Sequence, residues 1–327
     1  QETLRIVVDD EAVRRISEGI GQVAEAEAQA AMAKARAGGE PVVLGAPKPG
    51  ALGLVVEVDG AMVHLEDDWH EMKAGVVASL GPQVRREEKS ERVSLRLEAP
   101  SYCAGLEEAE QFWYRVYVEA CRQGLGSRAV ALVVVLGDGA EWIWRHARAF
   151  LGLPRVEVVE ILDIYHAFEH LWTVANAVFG ASSPAATAWV EPLKEGLVKQ
   201  GTNPVLAALG ELTAEEEAVR EEVRKAIGYF TENASRMNYP EFIARQLPIG
   251  SGAVESTCKV LIEEREKCAG MRWSKTGAQA VATLRALHRS GRWRAFWQTH
   301  PQCRRPAVFP RERSPKASSD ASARKAA

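Results

Sequence analysis

The sequence predicts an α/β protein: a mixed sheet with helices against its faces, interrupted by an all-helical segment. Three observations carry that expectation. Apolar runs of strand length, Leu54–Val58, Ala129–Leu136 and Val156–Leu162, alternate with amphipathic helical stretches. From about residue 181 to 246 the strand signal stops and Ala/Glu/Leu-rich helical sequence replaces it. The 327 residues are 46% hydrophobic and 26% charged, which supplies ample core and excludes disorder for most of the chain.

In chain order, 1–40 reads as a helical segment, with Val13, Ile16, Ile20 and Val23 at three- and four-residue spacing and a stop at Gly38-Gly39. A Pro/Gly linker follows to Gly53. The first strand, Leu54–Val58, is expected to end in Asp59-Gly60, and two further strands are expected at Glu71–Leu80 and Arg92–Leu97. Leu106–Leu125 is an amphipathic helix. Ala129–Leu136 is a strand buried on both faces and ends in Gly137-Asp138-Gly139. Helix Glu141–Leu151, strand Val156–Leu162 and helix His166–Val178 complete residues 41–180. Three meandering strands followed by crossovers make a mixed sheet. Their order is that of the ribonuclease H-like fold. An all-helical insertion, 181–246, precedes the last part of the core, 247–300, where a Gly-rich turn opens a helix bearing Glu255. A second helix, Thr276–Ser290, comes next, and the basic tail 301–327 reads as disordered.

Several function classes drop out. No apolar run approaches the ~20 residues that cross a bilayer, and no signal peptide opens the chain. Five widely spaced cysteines without a CxxC pair argue against a disulfide framework and for a reducing cytoplasm. The chain opens on Gln1, which leads us to expect further sequence upstream. The net charge of −3 hides an asymmetry: from Lys259 onward sixteen Lys and Arg face five Asp and Glu. That end suits a polyanion, or else a solvated basic helix and tail.

Asp59 and Asp138 each follow an apolar strand and precede a glycine. In the expected strand order those strands are neighbours, so the two carboxylates point into one volume and repel. A divalent cation relieves this, and Glu255 is the leading third ligand of an oxygen-only site for Mg²⁺ or Mn²⁺. Such a site supports two-metal phosphoryl transfer. The plain alternatives are Asp-Gly turns and a carboxylate favoured by a helix N-terminus. His166-x-x-Glu169-His170 is an inverted zincin pattern that places two imidazoles one turn apart, as in a zinc peptidase. It reads otherwise as Asp163 and His166 supporting the metal site or touching substrate phosphate, with His170 packing.

Five ordered blocks sharpen this. Val58-Asp59-Gly60 with Trp69-x-Glu71-x-Lys73, and Leu136–Trp144 around Asp138, are the first two. Leu162–Trp172 carries Asp163-x-x-His166. Asn233–Pro240 with Leu247–Ser256 surrounds Glu255, and Gly270-Met271-Arg272-Trp273-Ser274 closes the series. Together, over about residues 53–297, they resemble bacterial insertion-sequence transposases of the ISKra group, more distantly related to the Mutator-like superfamily. The resemblance implies a DDE transposase: Asp59, Asp138 and Glu255 as catalytic and metal-binding triad for two Mg²⁺ or Mn²⁺ ions, and a helical domain inserted before the glutamate. It implies transposon ends and target DNA as partners, a homodimer or larger assembly on that DNA, and a place at the nucleoid.

Arg236, Lys259, Arg265, Lys267, Arg272 and Lys275 surround the Glu255 region and are candidates to neutralise DNA phosphates; paired surface charges are the alternative. Trp142, Trp144 and Trp273 are candidates to stack on an unpaired base, against simple core packing. A non-catalytic DNA-binding remnant of a transposase is the second functional reading, and the zinc peptidase the third.

Overall fold

The computed structural model describes residues 9–38, 43–81, 97–213, 215–250 and 256–301. Its centre is a five-stranded sheet in the order β3-β2-β1-β4-β5. β1 (Gly53–His64) pairs antiparallel with β2 (Trp69–Leu80), which pairs antiparallel with β3 (Leu97–Gly105). On its other edge β1 runs parallel to β4 (Leu132–Gly137), and β4 runs parallel to β5 (Glu157–Leu162). The protein is thus a mixed α/β fold.

Strand burial follows the side-chain period of two. Leu54, Val56, Val58, Val133 and Val135 face α2 (Ala109–Arg122) and α3 (Glu141–Leu151), meeting Phe112, Trp113, Val116 and Ile143. Val55, Ala78, Val134, Leu136 and Ile161 face the other way, toward α4 (Ile164–Phe179). Packed around α4 are α5 (Pro184–Gln200), α6 (Asn203–Gly210), α7 (Glu217–Glu232) and α8 (Tyr239–Ala244), whose Val190, Leu197, Phe230 and Tyr239 join the same core. Within 181–246 the described residues hold helices and turns and no strand.

The β1–β2 hairpin projects past the parallel strands and is covered by the C-terminal helices. Ala61, Val63, Met72 and Ala74 pack on Leu261, Ile262 and Trp273, and on Ala278 and Ala282 of α10 (Lys275–Arg289). A π-helical turn, Lys259–Glu263, runs into the short α9 (Glu264–Glu266) ahead of α10. The long α1 (Asp10–Arg36) lies along α10 so closely that a Cβ on Gly21 would come 2.4 Å from the Ala280 carbonyl oxygen. Arg115 locks α1 to α2 by ion-pairing with both Glu25 and Glu107, and Thr283 donates to Glu25 at 2.6 Å. Side-chain caps set several helix starts, as where Ala12 N–H donates to Asp9 and Gly277 N–H to Ser274.

Two expectations need correction, and a third falls largely outside the described residues. β1 does not stop at Asp59-Gly60. It continues to His64, with Asp59 opposite Ala74 and Gly60 opposite Lys73, because β2 supplies hydrogen-bond partners along the whole arm. What ends there is the parallel ladder, whose last pair is Glu57 with Leu136. The strand expected at 92–97 falls, apart from Leu97, outside the described residues; the third strand is described over Leu97–Gly105. Pro100 masks it in the sequence, yet β3 is an edge strand, where proline is tolerated. Finally, a helix absent from the sequence reading, α11 (Trp293–Thr299), follows α10 and sends Phe296 against Ile20 and Ala24 of α1. Residues 1–8 of the N-terminal segment and 302–327 of the basic tail lie outside the described residues. No described helix is long and apolar enough to cross a membrane.

Candidate metal centre

The site grows out of the end of the parallel ladder. Continuing the β1–β4 register two residues beyond Glu57 and Leu136 brings Asp59 level with Asp138. Asp138 is half-buried in the turn after β4, where its Oδ1 accepts the Ala140 N–H at 2.9 Å. Asp59 is also half-buried, and its Oδ1 accepts the Gly60 N–H at 2.7 Å. Burial, and then the negative charges of Asp138 and Glu71, hold the Asp59 carboxyl above the usual carboxylate range. The Gly60 N–H and the Cys258 thiol offset part of this by hydrogen-bonding the carboxylate. Neither aspartate has a lysine, arginine or histidine ion-pair partner among the described residues. Two neighbouring carboxylates without a counter-charge form an oxygen donor set suited to a hard divalent cation.

Glu255, the third carboxylate of the sequence reading, lies outside the described residues. Cys258, three positions later, is buried and reaches Asp59. Among the described residues no group of three or more His, Cys, Asp or Glu side chains is arranged to hold a metal.

Asp163 closes β5. Its N–H donates to the Gly137 carbonyl at 2.8 Å, and its carboxylate caps α4 by accepting the Tyr165 N–H at 2.9 Å. The two strand ends are thereby tied together, with Asp138 on one and Asp163 on the other. Over them sits Tyr229 of α7, which the sequence reading missed. Burial, and then the charges of Asp138, Asp163 and Glu169, push its phenol far above the usual tyrosine range, so it stays protonated. Its ring stacks on His170 at 3.7 Å and 21°. His170 is held below the usual histidine range by burial and then by His166. His166 meets Glu169 at 3.3 Å through Nδ1 and His170 edge-on at 5.1 Å between centroids.

Tyr229 covers a face of the His170 ring, and no third metal-ligating side chain joins the two histidines among the described residues. The phosphate-binding candidates divide. Lys259, Arg272 and Lys275 are exposed and have no ion-pair partner among the described residues. Arg236 donates to Glu160 at 3.1 Å and Asn233 at 3.0 Å, and lies over Trp144 at 4.7 Å. Arg265 lies over Trp273 at 5.0 Å, and Lys267 pairs with Glu263 at 2.7 Å. Both are therefore engaged within the protein. Trp144 and Trp273 are buried in the core, while Trp142 is half-buried between Phe112 and Lys73.

No family model and no curated protein matches this chain.

Proposed function

We propose that this protein is a DDE transposase of ribonuclease H-like fold, cleaving DNA strands and transferring 3′-ends at a divalent-metal centre. The observation that carries the reading is the pairing of Asp59 and Asp138 at the end of the parallel ladder, without a counter-cation among the described residues. The strand order β3-β2-β1-β4-β5, with only the first three strands antiparallel, supports the ribonuclease H-like assignment. The five ordered sequence blocks support the family.

In this reading Asp59, Asp138 and Glu255 hold two Mg²⁺ or Mn²⁺ ions. Ions held there would supply activation of a water or 3′-hydroxyl and stabilisation of the leaving oxygen. The chain contributes the orientation. Gly60 N–H and the Cys258 thiol aim the Asp59 carboxylate, and Ala140 N–H aims that of Asp138. Lys259, Arg272 and Lys275 neutralise backbone phosphates without reading bases. Asp163 and His166 support the site, Asp163 by tying β5 and α4 to the turn that carries Asp138.

The experiment is metal-dependent cleavage and strand transfer on DNA from the flanks of the encoding locus. Asp59→Asn, Asp138→Asn and Glu255→Gln are each compared with the unsubstituted protein. Each variant should lose cleavage while keeping fold and DNA binding. DNA binding without cleavage in the unsubstituted protein would select the non-catalytic remnant instead.

A further inference from the structure

Tyr229 poses a problem that the metal centre alone does not solve. Its hydroxyl oxygen is shielded from solvent and has no hydrogen-bond partner among the described residues. A buried hydroxyl left unpaired costs about 1–3 kcal/mol, so this one gains from any acceptor brought to it. Of the two nearby carboxylates, Asp138 accepts from Ala140 N–H and Asp163 from Tyr165 N–H, and neither accepts from the Tyr229 hydroxyl. The hydroxyl is nonetheless held in one place. The ring stacks on His170, meets Phe230 edge-on at 5.4 Å, and lies over the backbone of Gly139. A Cβ on Gly139 would sit 3.3 Å from the ring and 3.6 Å from the hydroxyl oxygen. Gly139, at φ +107°, also has a backbone that only glycine adopts readily. The glycine after Asp138 thus lets an O–H donor approach the acidic centre.

The acceptor this donor suits is an anionic oxygen brought in beside Asp138 and Asp163. A DNA phosphate carries two, and a neutral donor stabilises the charge that builds there during in-line displacement. We propose that Tyr229 is a catalytic residue of this site, its hydroxyl donating a hydrogen bond to a non-bridging oxygen of the scissile DNA phosphate. The inference rests on the strand-transferase reading above. It gives α7 a chemical task, since α7 brings a donor to carboxylates that the strands carry.

The test uses the full chain, unsubstituted and as Tyr229→Phe and Asp138→Asn. Nicking of supercoiled plasmid with Mn²⁺ is followed at enzyme excess. Mn²⁺ binding is read by electron paramagnetic resonance, and melting temperature monitors the fold. Tyr229→Phe should slow nicking about 10- to 100-fold, the range set by loss of one donor to a developing oxyanion. Its Mn²⁺ binding should be unchanged and its melting temperature level or higher, because only an unpaired hydroxyl is removed. Asp138→Asn should lose both nicking and Mn²⁺ binding. Normal nicking by Tyr229→Phe beside an inactive Asp138→Asn would overturn the role of Tyr229 and leave the metal centre standing. Weakened Mn²⁺ binding or a lowered melting temperature in Tyr229→Phe would overturn it too, by making the hydroxyl a structural group. No divalent-dependent nicking by the unsubstituted protein would overturn both readings.

Discussion

Replacing Glu266 with Gln should stabilise the protein by an amount that grows with pH. Glu266 is 1% exposed, and neither carboxylate oxygen has a hydrogen-bond partner among the described residues. The cations near it are engaged elsewhere: Arg285 donates to the Val260 carbonyl and to Glu264, and Arg265 lies over Trp273. Burial therefore outweighs the pull of Arg285 and Arg265, and the carboxyl is pushed up to about 8 from 4.5. A carboxyl that holds its proton more tightly when folded favours the fold fully at low pH. That advantage is lost as pH rises from the unfolded value through the folded one. At ~1.4 kcal/mol per pH unit across that window, the loss between pH 5 and pH 8 is about 3–4 kcal/mol. Glutamine keeps the shape and does not titrate, so its own burial cost is the same at both pH values. The gap in melting temperature between Glu266→Gln and the unsubstituted protein should widen by roughly 10 °C from pH 5 to pH 8. Circular dichroism melts of both proteins at both pH values measure this. A gap that does not change with pH would refute the reasoning, because it would mean that Glu266 titrates alike in the folded and unfolded chain.

Asp59→Asn and Asp138→Asn should leave apo stability level or higher. The gain from Asp59→Asn should grow as pH rises out of the ordinary carboxylate range, since its folded carboxyl is held high by burial and by Asp138. With an ion bound only by the fold, 10 mM Mg²⁺ at a millimolar Kd should stabilise the unsubstituted protein by about 1.4 kcal/mol and neither variant; equal shifts in all three would contradict a site there. Changing Lys259, Arg272 and Lys275 together to Ala should flatten the dependence of log DNA affinity on log salt by up to about 3 units, read by anisotropy titrations. Arg236→Ala should instead leave that slope alone and lower the melting temperature, because it strips Glu160 of one partner and uncovers Trp144. His166→Ala should reduce cleavage less than any triad substitution, as His166 touches Glu169 and His170 rather than Asp59 or Asp138; a loss equal to that of Asp138→Asn would promote it to the site itself.

The sequence by itself determined what depends on local spacing. The apolar runs at 54–58, 129–136 and 156–162 specify strands because alternating side chains buried on both faces admit little else. Helix 141–151 is bounded in the structure where its periodicity bounds it. Two aspartates beside glycines after such runs were legible as a pair for the same reason. What only the tertiary structure decided depends on partners far along the chain. β1 outlasts Asp59 because β2 continues to pair with it, and β3 is a strand despite Pro100 because it occupies the sheet edge. Arg236 reads as a free cation until Glu160, 76 residues away, accepts its hydrogen bond. No local pattern singles out Tyr229 or Cys258. Packing of α7 and of the segment after Glu255 against the strand ends puts a hydroxyl and a thiol beside the acidic pair. Glu266 is charged in any local reading; only its enclosure in the core, which outweighs the pull of Arg285 and Arg265, favours its neutral form. Periodicity records which face of an element is apolar, but charge state and reach are set by what covers that face.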